Sequence, residues 1–167
     1  EFSEKVAYFF HSNLQGTEAR PNAVLAMTHI CGNGVLQGCL ADGQSFTFVQ
    51  TLRALAMQGD LPPLHDVFRP QTLIFSSAVG VKKPSKSLFS DAVSQLRSVG
   101  IRPEEILHIS CRLMTDLVPA KAAGMKTAFL AAEKSGLEVS ADVLKNPVTR
   151  PDRLLTDLKQ ITSVIGP

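Results

Sequence analysis

The chain has 167 residues, 44% of them hydrophobic and 19% charged, with a formal net charge of +2. That is enough for one domain with a real core, in the range of an ordinary globular protein. The basic residues are spread along the chain, which argues against nucleic-acid binding, and no apolar run is long enough to span a bilayer. The three cysteines, Cys31, Cys39 and Cys111, have neither an even count nor a CxxC spacing. A disulfide framework and a zinc site are therefore not expected, and a reducing, cytoplasmic setting is. The chain opens Glu1-Phe2, without Met or a signal-like leader, and reads as a fragment or a processed product.

In chain order, Lys5 to Leu14 reads as a helix, with a strand over Lys5–Phe10 as the other reading. Arg20-Pro21-Asn22 opens a second helix, with Pro in its first turn, that stops at Gly32-Asn33-Gly34. Val35 to Ala41 is a strand and Asp42-Gly43 the turn after it. Ser45 to Gln58 is a helix with Phe48, Val49, Leu52, Leu55 and Ala56 on one side. Gly59 to Pro70 reads as loop, Thr72 to Ser76 as a strand. Lys86 to Val99 is an amphipathic helix closed by Gly100. Then come a strand at Ile106–Ser110, a helix at Met114–Ala123, a strand at Thr127–Ala131, and helices at Ser140–Leu144 and Pro151–Ile165.

Strands and helices alternate, and the strands are apolar runs rather than alternating ones. Both features predict an α/β fold with a mostly parallel sheet buried on both faces. Ligands bind such sheets at the strand C-termini. The residues at that edge are Ala41-Asp42-Gly43, Ser76-Ser77, Ser110-Cys111 and Ala131-Ala132.

Three stretches carry a family pattern. Ser76 to Phe89, with Val79-Gly80-Val81-Lys82-Lys83-Pro84 at its centre, resembles the third motif of the haloacid-dehalogenase-like (HAD-like) hydrolases. The resemblance implies that Lys83 points into the active site. A cation there would neutralise a phosphoryl group beside a nucleophilic carboxylate, and Pro84 would stiffen the loop that aims it. Ile106 to Met125 resembles the fourth motif, whose two acids hold Mg²⁺ through carboxylate oxygens. Asp116 fits the second acid. The first falls on Cys111, and a thiol is a poor Mg²⁺ ligand. Cys111 is read as a small packed group, with a reactive thiolate as the other reading. Val35 to Gly43 resembles the second motif, in which a Ser or Thr hydroxyl holds phosphate. That position is Ala41, which has no donor, and Asp42 replaces the usual Asn. Ala41, Asp42 and Gly43 thus stand as a degenerate phosphate-binding turn.

The family's first motif, Asp-x-Asp, occurs nowhere in these residues. The resemblance places it upstream, with residues 1–18 as the remnant of a helical cap and 19–167 as the core without its usual first strand. The implied architecture is a three-layer α/β/α Rossmann-like core. Omitting a central strand would expose two strand edges. An upstream segment is the favoured occupant, with Lys5–Phe10 or a partner chain as alternatives.

His11, His29 and His65 have no metal spacing, and His108, inside an apolar strand, is expected to be a satisfied structural histidine. The expected function is a HAD-like domain with lost or atypical hydrolase activity, serving binding or regulation. Its ligand would be a small phosphorylated molecule, with Mg²⁺ implied by the family and put in doubt by Cys111. The alternatives are an active Mg²⁺-dependent phosphatase with an upstream nucleophile, or a haloacid dehalogenase. Substrate and oligomeric state are not legible.

Overall fold

The computed structural model describes residues 1–14, 17–131 and 140–165. Helix α1 is Phe2–Leu14 and α2 is Ala23–Gly32. Strand β1 is Gln37–Ala41, followed by α3 at Thr47–Ala56. A single turn α4, Leu64–Val67, leads straight into β2 at Phe68–Phe75. Next come the turn α5 at Ser76–Val79, α6 at Lys86–Arg97 and β3 at Leu107–Ser110. A π-helical turn at Leu113–Leu117 runs into α7 at Val118–Ala122, then β4 at Lys126–Leu130. The chain closes with α8 at Ala141–Lys145, β5 at Arg153–Leu155 and α9 at Ile161–Ile165.

Every pairing between these strands is parallel. The α/β class is therefore as expected, but the strands form two sheets, β1-β2 and β3-β4-β5. Helices cover both faces and hold the two sheets together. On one face, Leu88, Phe89 and Ala92 of α6 pack with Leu40 and Ile74 of the first sheet and with Ile106, Ala120 and Met125 beside the second. On the other face, Ala26 and Ile30 of α2 pack against Leu107, Ile109, Ala128 and Leu130. From α2, the Met27 carbonyl also accepts a hydrogen bond from Gln37 Nε2 of β1 at 2.9 Å. The layers α/β/α are thus present, and the break lies between β1 and β3.

Several boundaries depart from the sequence reading. Phe2–Leu14 is a helix, so Lys5–Phe10 is not recruited as a strand. Helix α2 starts at Ala23, because Asn22 adopts a left-handed φ of 63° that Arg20-Pro21-Asn22 as a first turn would not allow. The predicted loop Gly59–Pro70 contains α4 and the start of β2. Pro70 is tolerated there because the register jumps between Gln37↔Phe68 and Cys39↔Leu73, an irregularity that frees its position from the ladder. Thr72 closes this bulge, accepting from Arg69 N at 3.2 Å and donating to Arg69 O at 2.9 Å. The two strands come close enough that a Cβ on Gly38 would lie 2.7 Å from Thr72 O, so only glycine fits. Residues 153–155, predicted helical, form a strand on β4. Asp152 anchors it, Oδ2 accepting from Thr127 N and Thr127 Oγ1 at 2.8 Å each. The predicted edge residue Ala132 lies outside the described residues.

Helix α1 stands apart from the core. Phe2, Phe9 and Phe10 are exposed. Its contact with α3 runs through Tyr8, which meets Phe46 edge-on and lies 5.7 Å beneath the Arg53 guanidinium. Among the described residues, no helix is long and apolar enough to cross a membrane.

Candidate functional site

The C-terminal ends of β1, β2 and β3 converge on one place, and Lys83 lies at its centre. The lysine sits on the loop between α5 and α6. Gly80, at φ +82°, ends α5 in a conformation that favours glycine. The Lys83–Pro84 peptide is cis. Asp42, at the end of β1, fixes the loop from the other side: its Oδ1 accepts the Lys83 backbone N–H at 3.0 Å. The Asp-Gly turn therefore holds the lysine loop rather than facing a phosphate with a free carboxylate.

The Lys83 side chain crosses the break between the two sheets. Its Nζ donates to Asp116 Oδ2 at 2.8 Å, and both side chains are about nine-tenths buried, at 11% and 8% exposure. Asp116 sits on the π turn, with Pro119, which lacks an N–H, just beyond it. The same Oδ2 accepts from Ser110 Oγ at 2.9 Å, and Oδ1 accepts from Thr115 Oγ1 at 2.9 Å. Burial alone would raise the Asp116 pKa. The Lys83 ammonium and the two hydroxyls outweigh it and hold the carboxyl below its ordinary value. Asp116 is thus ionised and held by three donors, two on Oδ2 and one on Oδ1.

Other predicted site residues play different parts. Ala41 ends β1 and supplies no donor, as the sequence indicates. The Gly43 backbone N–H, the group a phosphate would use in this turn, donates to Ser76 Oγ at 3.1 Å. Ser76, one of the expected edge residues and the first of the third-motif stretch, is buried, and its bond to the β1 turn had no signal in the sequence. Ser76→Ala is expected to lower stability by about 1 kcal/mol, the net worth of one such bond, read by urea denaturation. Cys111 is a free thiol, half-buried at the end of β3.

His108 corrects the sequence reading outright. Its ring meets Phe89 edge-on at 6.0 Å, and its buried Nε2 has no hydrogen-bond partner among the described residues. It is structural but not satisfied. Burial, then the nearby Lys83 charge, lower its pKa to about 4. At neutral pH it is an uncharged imidazole in the wall behind the lysine.

The residues present do not make a Mg²⁺ site. Asp116 is engaged by three donors, Cys111 is a soft ligand, and Asp42 serves the loop backbone. No group of three or more His, Cys, Asp or Glu suited to a metal occurs among the described residues. What the arrangement offers is a fixed ammonium, with two further N–H donors beyond the one on Asp116, at the ligand-binding edge of a parallel sheet.

Comparison with known proteins bears on the family and the fold. The HAD-hydrolase-like family model matches residues 80–161, the stretch that carries Lys83 and Asp116. Glyceraldehyde 3-phosphate phosphatase of Pyrococcus furiosus is 28% identical over 145 residues, which is 87% of this chain and 53% of that protein. This chain therefore spans about half the length of that relative. Among solved structures, a HAD phosphatase from Thermococcus onnurineus superposes with a TM-score of 0.66 at 16% identity, covering 99% of this chain and 65% of that one. A dehalogenase superposes with a TM-score of 0.71 at 14% identity, covering 98% and 64%. At these identities the two structures speak for the fold.

Proposed function

We propose that this chain, a HAD-like hydrolase domain, uses the Lys83 site to bind a small phosphorylated molecule and does not by itself turn it over. The observation that carries this reading is the buried Lys83–Asp116 pair at 2.8 Å, a preserved cation in a site that has lost the groups around it. Ala41 offers no hydroxyl, Gly43 N is committed to Ser76, and the first acid of the metal site is a thiol. The sequence holds no Asp-x-Asp to act as nucleophile. A lysine alone attracts a phosphate but leaves the transferring group without attacking carboxylate or metal. The role is therefore binding or regulation, in a cytoplasmic setting consistent with three free cysteines. Residues 1–18 serve as the remnant of a helical cap, and 19–167 as the core.

A second reading, an active phosphatase completed by an upstream strand, is favoured by one observation. Among the described residues, β1 pairs with β2 alone and β3 with β4 alone. Each leaves an edge toward the break, and a parallel strand carrying an aspartate would bring that carboxylate toward Lys83.

Titration with inorganic phosphate tests the binding role. Binding followed by calorimetry is expected to weaken at least tenfold in Lys83→Met and to be unchanged in the exposed neighbour Lys82→Met. Equal affinity in both variants would remove the basis for assigning the site to Lys83.

A further inference from the structure

A cleft lies at the opposite, N-terminal edge of the β3-β4-β5 sheet, and Lys83 is not among the residues that line it. It is a cleft of about 860 Å³ at the starts of β3, β4 and β5, where Leu107, Lys126 and Arg153 stand. Ile106, Leu144, Pro151 and Leu154 give it apolar walls. That volume is in the range of small-molecule pockets, which combine apolar walls with a few placed polar groups.

The charge around the cleft is unbalanced once internal bonds are assigned. Two acids reach it, Glu105 and Asp152. Both are already engaged. Glu105 accepts from the Arg102 backbone N–H at 2.8 Å and from its guanidinium at 3.1 Å. Asp152 Oδ2 holds the amide and hydroxyl of Thr127, and its Oδ1 lies 3.6 Å from Lys121 Nζ. Three cations line the same cleft: Lys126, Arg150 and Arg153. Among the described residues none of the three comes within ion-pair distance of a carboxylate; Lys126 lies near enough to Asp152 to help hold its carboxyl below the ordinary value, and the hydrogen bond of the Arg153 guanidinium goes to the Asp152 carbonyl, at 3.2 Å. The Arg150 carbonyl is tied down by Lys121 Nζ, which fixes the backbone from which that guanidinium projects.

We propose that this cleft is a binding site for a small organic anion with an apolar body, held by Lys126, Arg150 and Arg153 over the apolar walls. Arginine suits the carboxylate, sulfonate or phosphate of such a ligand because its planar fork donates two parallel bonds. Ligands of parallel sheets otherwise bind at the C-terminal edge. Occupancy here is thus separable from occupancy of the Lys83 site.

The probe is 8-anilinonaphthalene-1-sulfonate, an aromatic body with one sulfonate. Fluorescence titration of the whole protein is expected to give one saturable site. The double variant Lys126→Gln/Arg150→Gln should weaken it at least tenfold, and Lys82→Gln should not change it. Amide ¹H–¹⁵N shifts on binding should concentrate at residues 105–107, 126 and 150–154. Undiminished binding in the double variant at unchanged melting temperature would overturn the proposal. So would shifts centred on the exposed apolar face of α1 or on the Lys83 loop.

Discussion

Lys83→Ala is expected to lower the free energy of unfolding by about 3 kcal/mol at neutral pH, the usual cost of removing one partner from a buried ion pair. The cause is Asp116 rather than the lysine. In the native site the Asp116 carboxylate is buried and takes its main stabilisation from Lys83 Nζ at 2.8 Å. Without that ammonium, the hydroxyls of Ser110 and Thr115 are left to hold the charge. The sign of the pH dependence follows. A carboxyl held below its ordinary value contributes stability that is present above its unfolded pKa and lost as pH falls through the folded one. In Lys83→Ala the carboxyl is desolvated and unpaired, so its pKa moves up and the deficit shrinks as acid protonates it. Asp116→Asn added to Lys83→Ala removes the buried charge and is expected to recover more than half of the loss. Urea denaturation of the two single variants and the double variant completes a thermodynamic cycle. Additive single effects would mean that the two residues are not coupled.

The second large effect belongs to His108. Its pKa of about 4 lies below the ordinary imidazole value of 6.5. The unfolded chain therefore binds more protons than the folded one between these values. Stability from this residue is full above pH 6.5 and is lost as pH falls toward 4, by about 3 kcal/mol over the window. Protonation would place a second cation near Lys83 in a buried wall. His108→Phe is expected to flatten the stability profile over that window, and at neutral pH to remove a buried ring nitrogen that has no partner among the described residues. A profile of unchanged steepness in the variant would assign the acid sensitivity to other groups.

These effects show how far the sequence carries. The α/β alternation, the helix at α6 and the lysine loop are legible because their signals are local. Leu88, Phe89, Ala92 and Val93 recur at helical spacing and are the residues that the core buries. Lys83 and Asp116 are legible as members of two motifs, each with its own spacing. Their direct contact is not, since it depends on how two sheets are set side by side. Ser76 and Ser110 are legible as residues of the ligand-binding edge, but their bonds to Gly43 and Asp116 are not, since those depend on the folded path of the loops. Strand β5 was hidden because Leu154, Leu155, Leu158 and Ile161 follow a helical spacing. Its extended form comes from pairing with β4 and from the Asp152 anchor on Thr127. The start of β2 was hidden by Pro70, which only a register shift makes acceptable. The break in the sheet was legible in outline, through the missing motif, but not the way the helices straddle it.

Phosphatase activity of the full-length protein with Mg²⁺, measured over a broad panel of phosphate monoesters, tests the central claim most directly. A binding domain with a committed Asp116, an Ala41 without a hydroxyl and a thiol at Cys111 is expected to give no Mg²⁺-dependent turnover. Robust turnover that disappears in Lys83→Ala would contradict it and establish an active phosphatase built around the same lysine.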